Sequence, residues 1–341
     1  MRIKQMEIYL VGGAVRNRVL GIAPNDLDYV VIGSTPQQML DNGFTQVGSD
    51  FPVFLHPITK EEYALARTER KHGTGYNGFI TDCSQNITLE EDLKRRDLTM
   101  NAIAMDSSGR YIDPFGGIKD IQAKIIRHVS SDFSDDPLRV LRTARFAAQL
   151  DFSVHPSTIE MLKSLKSEMP SLTPERVWKE LSKVLVAPKP ERFFEVLFDA
   201  GMCDLFFESE SVYRVTMIEL ERLARHSDLL EIRLVAFRGI ELPCLKDSNL
   251  KRLLSCARVL FDDSNTDIVN LYRELDYNRR PIPHLLNAYQ VLNPVRGRYV
   301  KKCFTVLKDN QPTVKGLDKS VIPHYIDSFR RNLIANLQKV L

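Results

Sequence analysis

The chain has 341 residues, of which 43% are hydrophobic and 27% charged, and a net charge of +3. That length accommodates two or more domains with full cores, and the composition is that of an ordinary globular protein. Five widely spaced cysteines, Cys83, Cys203, Cys244, Cys256 and Cys303, with no C-x-x-C, suggest neither a disulfide framework nor a zinc site. The charge is unevenly placed: from Arg296 onward there are ten Lys/Arg against three Asp/Glu, an excess of seven. Such an excess suits an anionic partner, nucleic acid or a membrane surface, and equally a solvated helical face. No signal peptide or long apolar span is evident, so a cytoplasmic protein is expected.

In chain order, Glu7-Ile8-Tyr9-Leu10-Val11 predicts a short strand, Gly12-Gly13 a turn, and Ala14 to Leu20 a helix. Asp28-Tyr29-Val30-Val31-Ile32-Gly33 predicts the next strand. Val53–Leu55 and Glu62–Ala66 predict a strand pair turned around Pro57–Lys60. Lys71–Gly78, polar and rich in glycine, predicts a mobile loop. From about Gly117 the pattern becomes helical. Asp136-Pro137-Leu138 and Pro174-Glu175-Arg176-Val177-Trp178 each open a helix, the first with a carboxylate N-cap and proline in the first turn. Beyond Pro190 helices run nearly to the end, broken at Pro243, Pro281, Pro283, Pro294, Pro312 and Pro323. The fold class expected is an α/β head followed by a long all-α part.

Asp26 and Asp28 are two apart, and on a strand such positions share a face while Leu27 turns to the core. Paired carboxylates are hard-oxygen ligands suited to Mg²⁺, which also keeps water and takes phosphate oxygens. A D-x-D alone also describes a turn or a surface pair; its place, after the Gly-Gly turn and leading into an apolar strand, is what points to a metal. Gly12-Gly13, between strand and helix, leaves backbone amides open to a triphosphate, although a tight turn would need glycine too. Arg16, one turn on, reaches the same region. The run is neither a Walker A loop nor a dinucleotide fingerprint. These features resemble the nucleotidyltransferase fold of the DNA polymerase β superfamily, in which carboxylate-held metals activate a hydroxyl and steady the leaving pyrophosphate.

Four further segments narrow the resemblance: Arg67-Thr68-Glu69-Arg70-Lys71, Glu91–Ala102 with Arg95-Arg96-Asp97 inside it, Asp113-Pro114-Phe115-Gly116-Gly117, and Asp135-Asp136-Pro137-Leu138-Arg139-Val140-Leu141-Arg142-Thr143-Ala144-Arg145-Phe146. In this order the chain resembles the class II tRNA nucleotidyltransferases, and within them the bacterial CCA-adding enzymes, densely over residues 7–205. The resemblance implies a head over 1–117, a helical neck with base recognition over 118–200, and a body and tail over 201–341 that hold the tRNA acceptor arm. It implies Asp26 and Asp28 as metal ligands and catalytic residues, with Gly13, Arg16, Arg96, Asp136, Arg139, Arg142 and Arg145 binding nucleotide.

The chemistry of Asp136 and Arg139, three apart, agrees with this. Cytosine and adenine both offer an amino group beside a bare ring nitrogen, which a carboxylate and a guanidinium complement. Guanine and uracil present a carbonyl beside an N–H and would leave buried polar groups unpaired. The implied activity is addition of C, C and A to tRNA from CTP and ATP with Mg²⁺. The family usually has Glu where this chain has Asp135. Arg67–Gly78 matches the family's flexible loop, which favours full CCA addition. Arg279-Arg280, Arg296, Arg298, Lys301-Lys302 and Arg330-Arg331 are expected phosphate contacts. Glu231–Ile240, where many relatives have an HD phosphohydrolase, has no His-Asp pair, and the length argues against that domain. The alternatives are a poly(A) polymerase, a CC-only or A-only enzyme, and a non-catalytic RNA-binding protein.

Overall fold

A computed structural model describes residues 6–24, 26–47, 53–71, 79–82, 84–262, 264–276 and 282–340. The chain divides into two compact units: Met1–Thr173 with Glu195–Met202, and Pro174–Phe194 with Cys203–Leu341.

In the first unit the elements are β1 (Glu7–Val11), α1 (Gly13–Val19), β2 (Asp28–Ile32), α2 (Pro36–Asp41), β3 (Thr45–Val47), β4 (Val53–Leu55), β5 (Glu62–Leu65), β6 (Thr68–Lys71), β7 (Phe79–Asp82), α3 (Leu89–Lys94), β8 (Ala104–Met105), β9 (Tyr111–Ile112), α4 (Gly117–Gln122), β10 (Ile125–Ile126), α5 (Leu138–Leu150), β11 (Ser153–Val154) and α6 (Pro156–Ser164). Among the described residues, seven strands form one mixed sheet in the order β3-β4-β5-β2-β1-β8-β9. Only β2 and β5 pair in parallel there.

The alternation of β2 assigns its faces. Val30 packs with Val11, Leu93 and Ala102 on one side, and Val31 packs with Met39, Phe54 and Leu65 on the other. Asp28, two residues before Val30, therefore opens on the side that carries α3 and the residues after it. The pairing puts Asp28 opposite Val11, the last residue before the Gly12 turn. The carboxylate and the turn are thus neighbours in space.

Two departures from the predicted pattern follow. The strand begins at Asp28, so Asp26 stands in the bend ahead of it, and Leu27 is only half-buried. The segment expected to lead into a loop at Lys71 is strand β6, paired antiparallel with β7. Residues 72–78, the remainder of that predicted loop, lie outside the described residues.

The second unit is helical: α7 (Pro174–Leu185), α8 (Glu191–Asp199, its later residues grouped with the first unit), α9 (Glu210–Ala224), α10 (Leu230–Leu234), α11 (Ser248–Phe261), α12 (Ile268–Asp276), α13 (Ile282–Leu292), α14 (Pro294–Asp309) and α15 (Ile322–Val340). Pro283, Pro294 and Pro323 lie in the first turns of α13, α14 and α15, where the missing N–H costs nothing. They start helices rather than break them. Pro243 and Pro312 fall between helices as predicted.

The Glu231–Ile240 stretch builds structure here. Arg233, 3% exposed, donates from Nε to Ser227 O (2.6 Å), from Nη1 to Leu185 O (2.9 Å) and Ala187 O (2.5 Å), and from Nη2 to Ala224 O (3.3 Å). It thereby satisfies the carbonyls that end α7 and α9, which have no intrahelical partners. No helix among the described residues is long and apolar enough to cross a membrane.

Candidate active site

The site is assembled by three segments of the first unit. The β1–α1 turn comes first. Gly12 has φ +70°, and a Cβ there would stand 3.0 Å from Arg96 Nη1. The turn needs glycine at Gly12 for both reasons, whereas Gly13 has room for a side chain and is the first residue of α1.

The second segment follows α3. Asp92 is fully buried and receives Arg95 (Nη2 to Oδ1, 2.9 Å), Arg96 (Nη2 to Oδ2, 3.1 Å) and the backbone N–H of Arg67 (3.3 Å). Burial alone would raise its carboxyl, but the two guanidiniums outweigh that and hold it below the usual range. Asp92 thus fixes Arg96 beside Gly12 and Asp28. The buried Nε of Arg96 has no hydrogen-bond partner, which leaves a donor for a ligand.

Asp28 titrates above the usual carboxylate range, first because of burial and then because of the charge of Asp26; Arg96 opposes both. Asp26 stands two residues ahead of Asp28, in the bend that leads into β2. A divalent cation would relieve that repulsion, and carboxylate oxygens suit one. Glu62 neighbours Asp28 in register on β5. Even so, no group of three or more His, Cys, Asp or Glu poised for a metal occurs among the described residues. The remaining ligands would come from phosphate and water.

The third segment is α5. Asp136 precedes the helix and accepts from the N–H of Leu138 (3.0 Å), while Pro137 is the N-cap. Arg139 donates to Asp132 O (2.8 Å) and to Arg95 O (2.6 Å). One turn on, Arg142 meets Asp97 through Nε (2.8 Å) and Nη2 (2.7 Å). The i, i+3 spacing of Arg139, Arg142 and Arg145 aligns one face of α5 with the Arg95–Asp97 segment. At its end the Phe146 ring receives Arg145 (4.1 Å to the centroid), Arg16 (4.9 Å) and Arg142 (5.9 Å). Burial, with Arg145 and Arg142 nearby, brings the Arg16 guanidinium down to about 10.

The structure therefore sets Arg96 beside Gly12 and Asp28, gathers Arg16, Arg142 and Arg145 at the Phe146 ring with Gly13 one turn before Arg16 on α1, and places Arg139 on the same α5 face. Sequence reading passed over Asp92, Asp97, Asn101 and Phe146. All four stand inside the quoted motif segments, and the signal that would have found Asp92, Asp97 and Asn101 is the polar residue repeated among apolar ones in Glu91–Ala102. Of the basic residues expected to meet phosphate, several have partners within their own unit. Arg296 donates to Asn265 O (2.6 Å), Lys301 to Asn287 Oδ1 (2.8 Å), and Arg331 pairs with Asp267 and Asp327 (2.8 Å each). Arg279 and Arg280 lie outside the described residues.

Residues 8–127 match the poly A polymerase head domain, and residues 151–211 match the family described as the probable RNA and SrmB-binding site of polymerase A. The chain is 56% identical over 207 residues to a multifunctional CCA protein of Mannheimia succiniciproducens, covering 59% of this chain and 49% of that one. It is 54% identical over 216 residues to one of Hahella chejuensis, covering 62% and 51%. The chain thus spans about half the length of these curated relatives. In fold it is similar to the Bacillus stearothermophilus CCA-adding enzyme crystallised with CTP, with TM-score 0.69, 22% identity, and 97% and 89% of the two chains covered.

Fold and site together define a polymerase β-type nucleotidyltransferase head followed by helices. The chain thus carries a head of the poly A polymerase family, whose chemistry uses divalent metal, and it is similar to multifunctional CCA proteins over about 60% of its length.

Proposed function

We propose that this protein adds C, C and A to the 3′ end of tRNA without a nucleic-acid template, taking CTP and ATP and releasing pyrophosphate, and that it repairs damaged CCA ends. The observation that carries the reading is the convergence of Asp28, Gly12 and Arg96 at one end of the sheet with the arginine face of α5.

Asp26 and Asp28 hold Mg²⁺ in this reading. A metal held there would supply a lowered pKa at the attacking 3′-hydroxyl and positive charge against the departing pyrophosphate. Arg96 faces ribose and triphosphate, and the bare backbone at Gly12-Gly13 lets phosphate approach. Arg16, Arg142 and Arg145 supply positive charge in excess of Asp97, as a polyanion requires. Asp136 and Arg139 select the base. In the structure each terminal nitrogen of Arg139 gives one N–H to a backbone carbonyl and keeps a second for a ligand.

The functional division proposed is a head over 1–117, a neck over 118–200 and a body and tail over 201–341, the last holding the acceptor arm. By contacts alone, residues 118–173 group with the head. This activity implies a cytoplasmic setting. The test is incorporation of labelled CTP and ATP into tRNA ending before CCA, with Mg²⁺. The reading expects three added residues with both nucleotides present, and a homopolymeric A tract would contradict it.

A further inference from the structure

Asp97 is not among the residues that resemblance assigns to nucleotide, yet it has a singular position. It is 7% exposed and engages both oxygens. Oδ2 accepts Nε and Nη2 of Arg142 at 2.8 and 2.7 Å. Oδ1 accepts the N–H of Leu98 (2.8 Å) and Nδ2 of Asn101 (2.9 Å). The amide of Asn101 is thereby fixed in orientation, and its Oδ1 accepts Nη1 of Arg16 at 2.7 Å. One carboxylate therefore sits in a continuous line: Arg142, Asp97, Asn101, Arg16. The ends of that line come from α5 and α1, and both guanidiniums stand over the Phe146 ring.

An isolated arginine side chain has considerable rotamer freedom, and holding one against water is costly. Here three guanidiniums share one ring, and Asp97 binds one of them directly. Their mutual repulsion favours splaying apart, and the hydrogen bonds to Asp97 and Asn101 oppose it. Guanidiniums kept in place before any ligand arrives are preorganised for an anion.

We infer that Asp97 is a positioning residue for the incoming nucleoside triphosphate: it fixes Arg142 directly and Arg16 through Asn101, so that α5 and α1 present their guanidiniums in one fixed arrangement. This rests on the proposed function for the identity of the ligand. It also has a specific corollary. The hydrogen bonds of this line run to Arg142 and Arg16, which the proposed function places on the triphosphate, so weakening it is expected to affect CTP and ATP alike.

The experiment compares wild type with Asp97→Asn, Asn101→Leu and the double variant. It measures equilibrium binding of CTP and of ATP, KM and kcat for each nucleotide, and the melting temperature. Asp97→Asn keeps the shape but loses the charge that holds Arg142, and it is expected to weaken both nucleotides by about tenfold to a hundredfold, mostly in KM. Asn101→Leu releases Arg16 alone and is expected to weaken them by about three- to tenfold. Because the two residues act in one line, the double variant is expected to fall short of the product of the single effects.

A purely structural role would lower the melting temperature and the active fraction while KM of the surviving protein stayed at the wild-type value. That result, from Asp97→Asn or, should it not fold, from Asn101→Leu, overturns the inference. So does a shift confined to one nucleotide. If wild type binds CTP but does not extend tRNA, the proposed function fails while the binding comparison still decides the role of Asp97. If wild type binds neither nucleotide, both fail.

Discussion

At the scale of the residue, the site consists of ionisable groups held in unequal surroundings. Asp28 is raised by burial and by Asp26. Its ionised form therefore costs the metal-free fold stability at neutral pH, a cost that disappears as pH falls and the group protonates. Asp28→Asn is expected to abolish incorporation without lowering the melting temperature of the metal-free protein. Added Mg²⁺ should then stabilise wild type and not the variant; thermal melts with and without the metal check both statements. Asp97 is the opposite case. Burial would raise it, but Arg142 and Asn101 hold it at about 2 against a usual value of 3.8. Its folded value is the lower one, so its contribution is complete above about pH 4 and lost as pH falls toward 2. That is worth about 2 kcal/mol, and Asp97→Asn should flatten the acid limb of the stability profile by that amount.

At the scale of the element, each contributing piece is placed by something outside itself. Gly12 holds the β1–α1 turn at a positive φ and leaves space for Arg96. Gly12→Ala is expected to strain the turn, push Arg96 aside and weaken nucleotide binding by about tenfold, as read by equilibrium binding of CTP. Gly117 begins α4 so close to Thr99 that a Cβ would meet its carbonyl oxygen at 2.1 Å. In the helical unit Arg233 ends two helices at once. Arg233→Ala leaves several carbonyls without donors and is expected to cost about 3 kcal/mol. That corresponds to a drop of about 6–12 °C in the melting of the helical unit, followed by circular dichroism.

These elements also show what the sequence makes legible. The strands β1 and β2, the Gly-Gly turn and the start of α5 follow from local pattern, because propensity and turn chemistry act over a few residues. The register of Val11 against Asp28 does not, since a slip of one residue leaves each strand's composition unchanged. Nor do Asp97 with Arg142 and Arg16 with Asn101, which lie 45 and 85 residues apart. The partners of the tail arginines are not legible either: a guanidinium looks the same in sequence whether or not it pairs within its own unit, as Arg331 does with Asp267 and Asp327.

At the scale of the whole molecule, the proposed function makes the protein itself the template. Base choice then depends on Asp136 and Arg139 and chemistry on Asp26 and Asp28, so the two should separate by mutation. Arg139→Ala is expected to relax selection for C and A, with misincorporation from GTP or UTP rising by about tenfold or more. The most direct measurement uses tRNA lacking CCA with Mg²⁺ and CTP or ATP, singly and together, the products resolved at single-nucleotide length. The account predicts two additions with CTP alone and a stop after three with both. An arrest after CC with both nucleotides present, a long A tract, or no extension at all would contradict it.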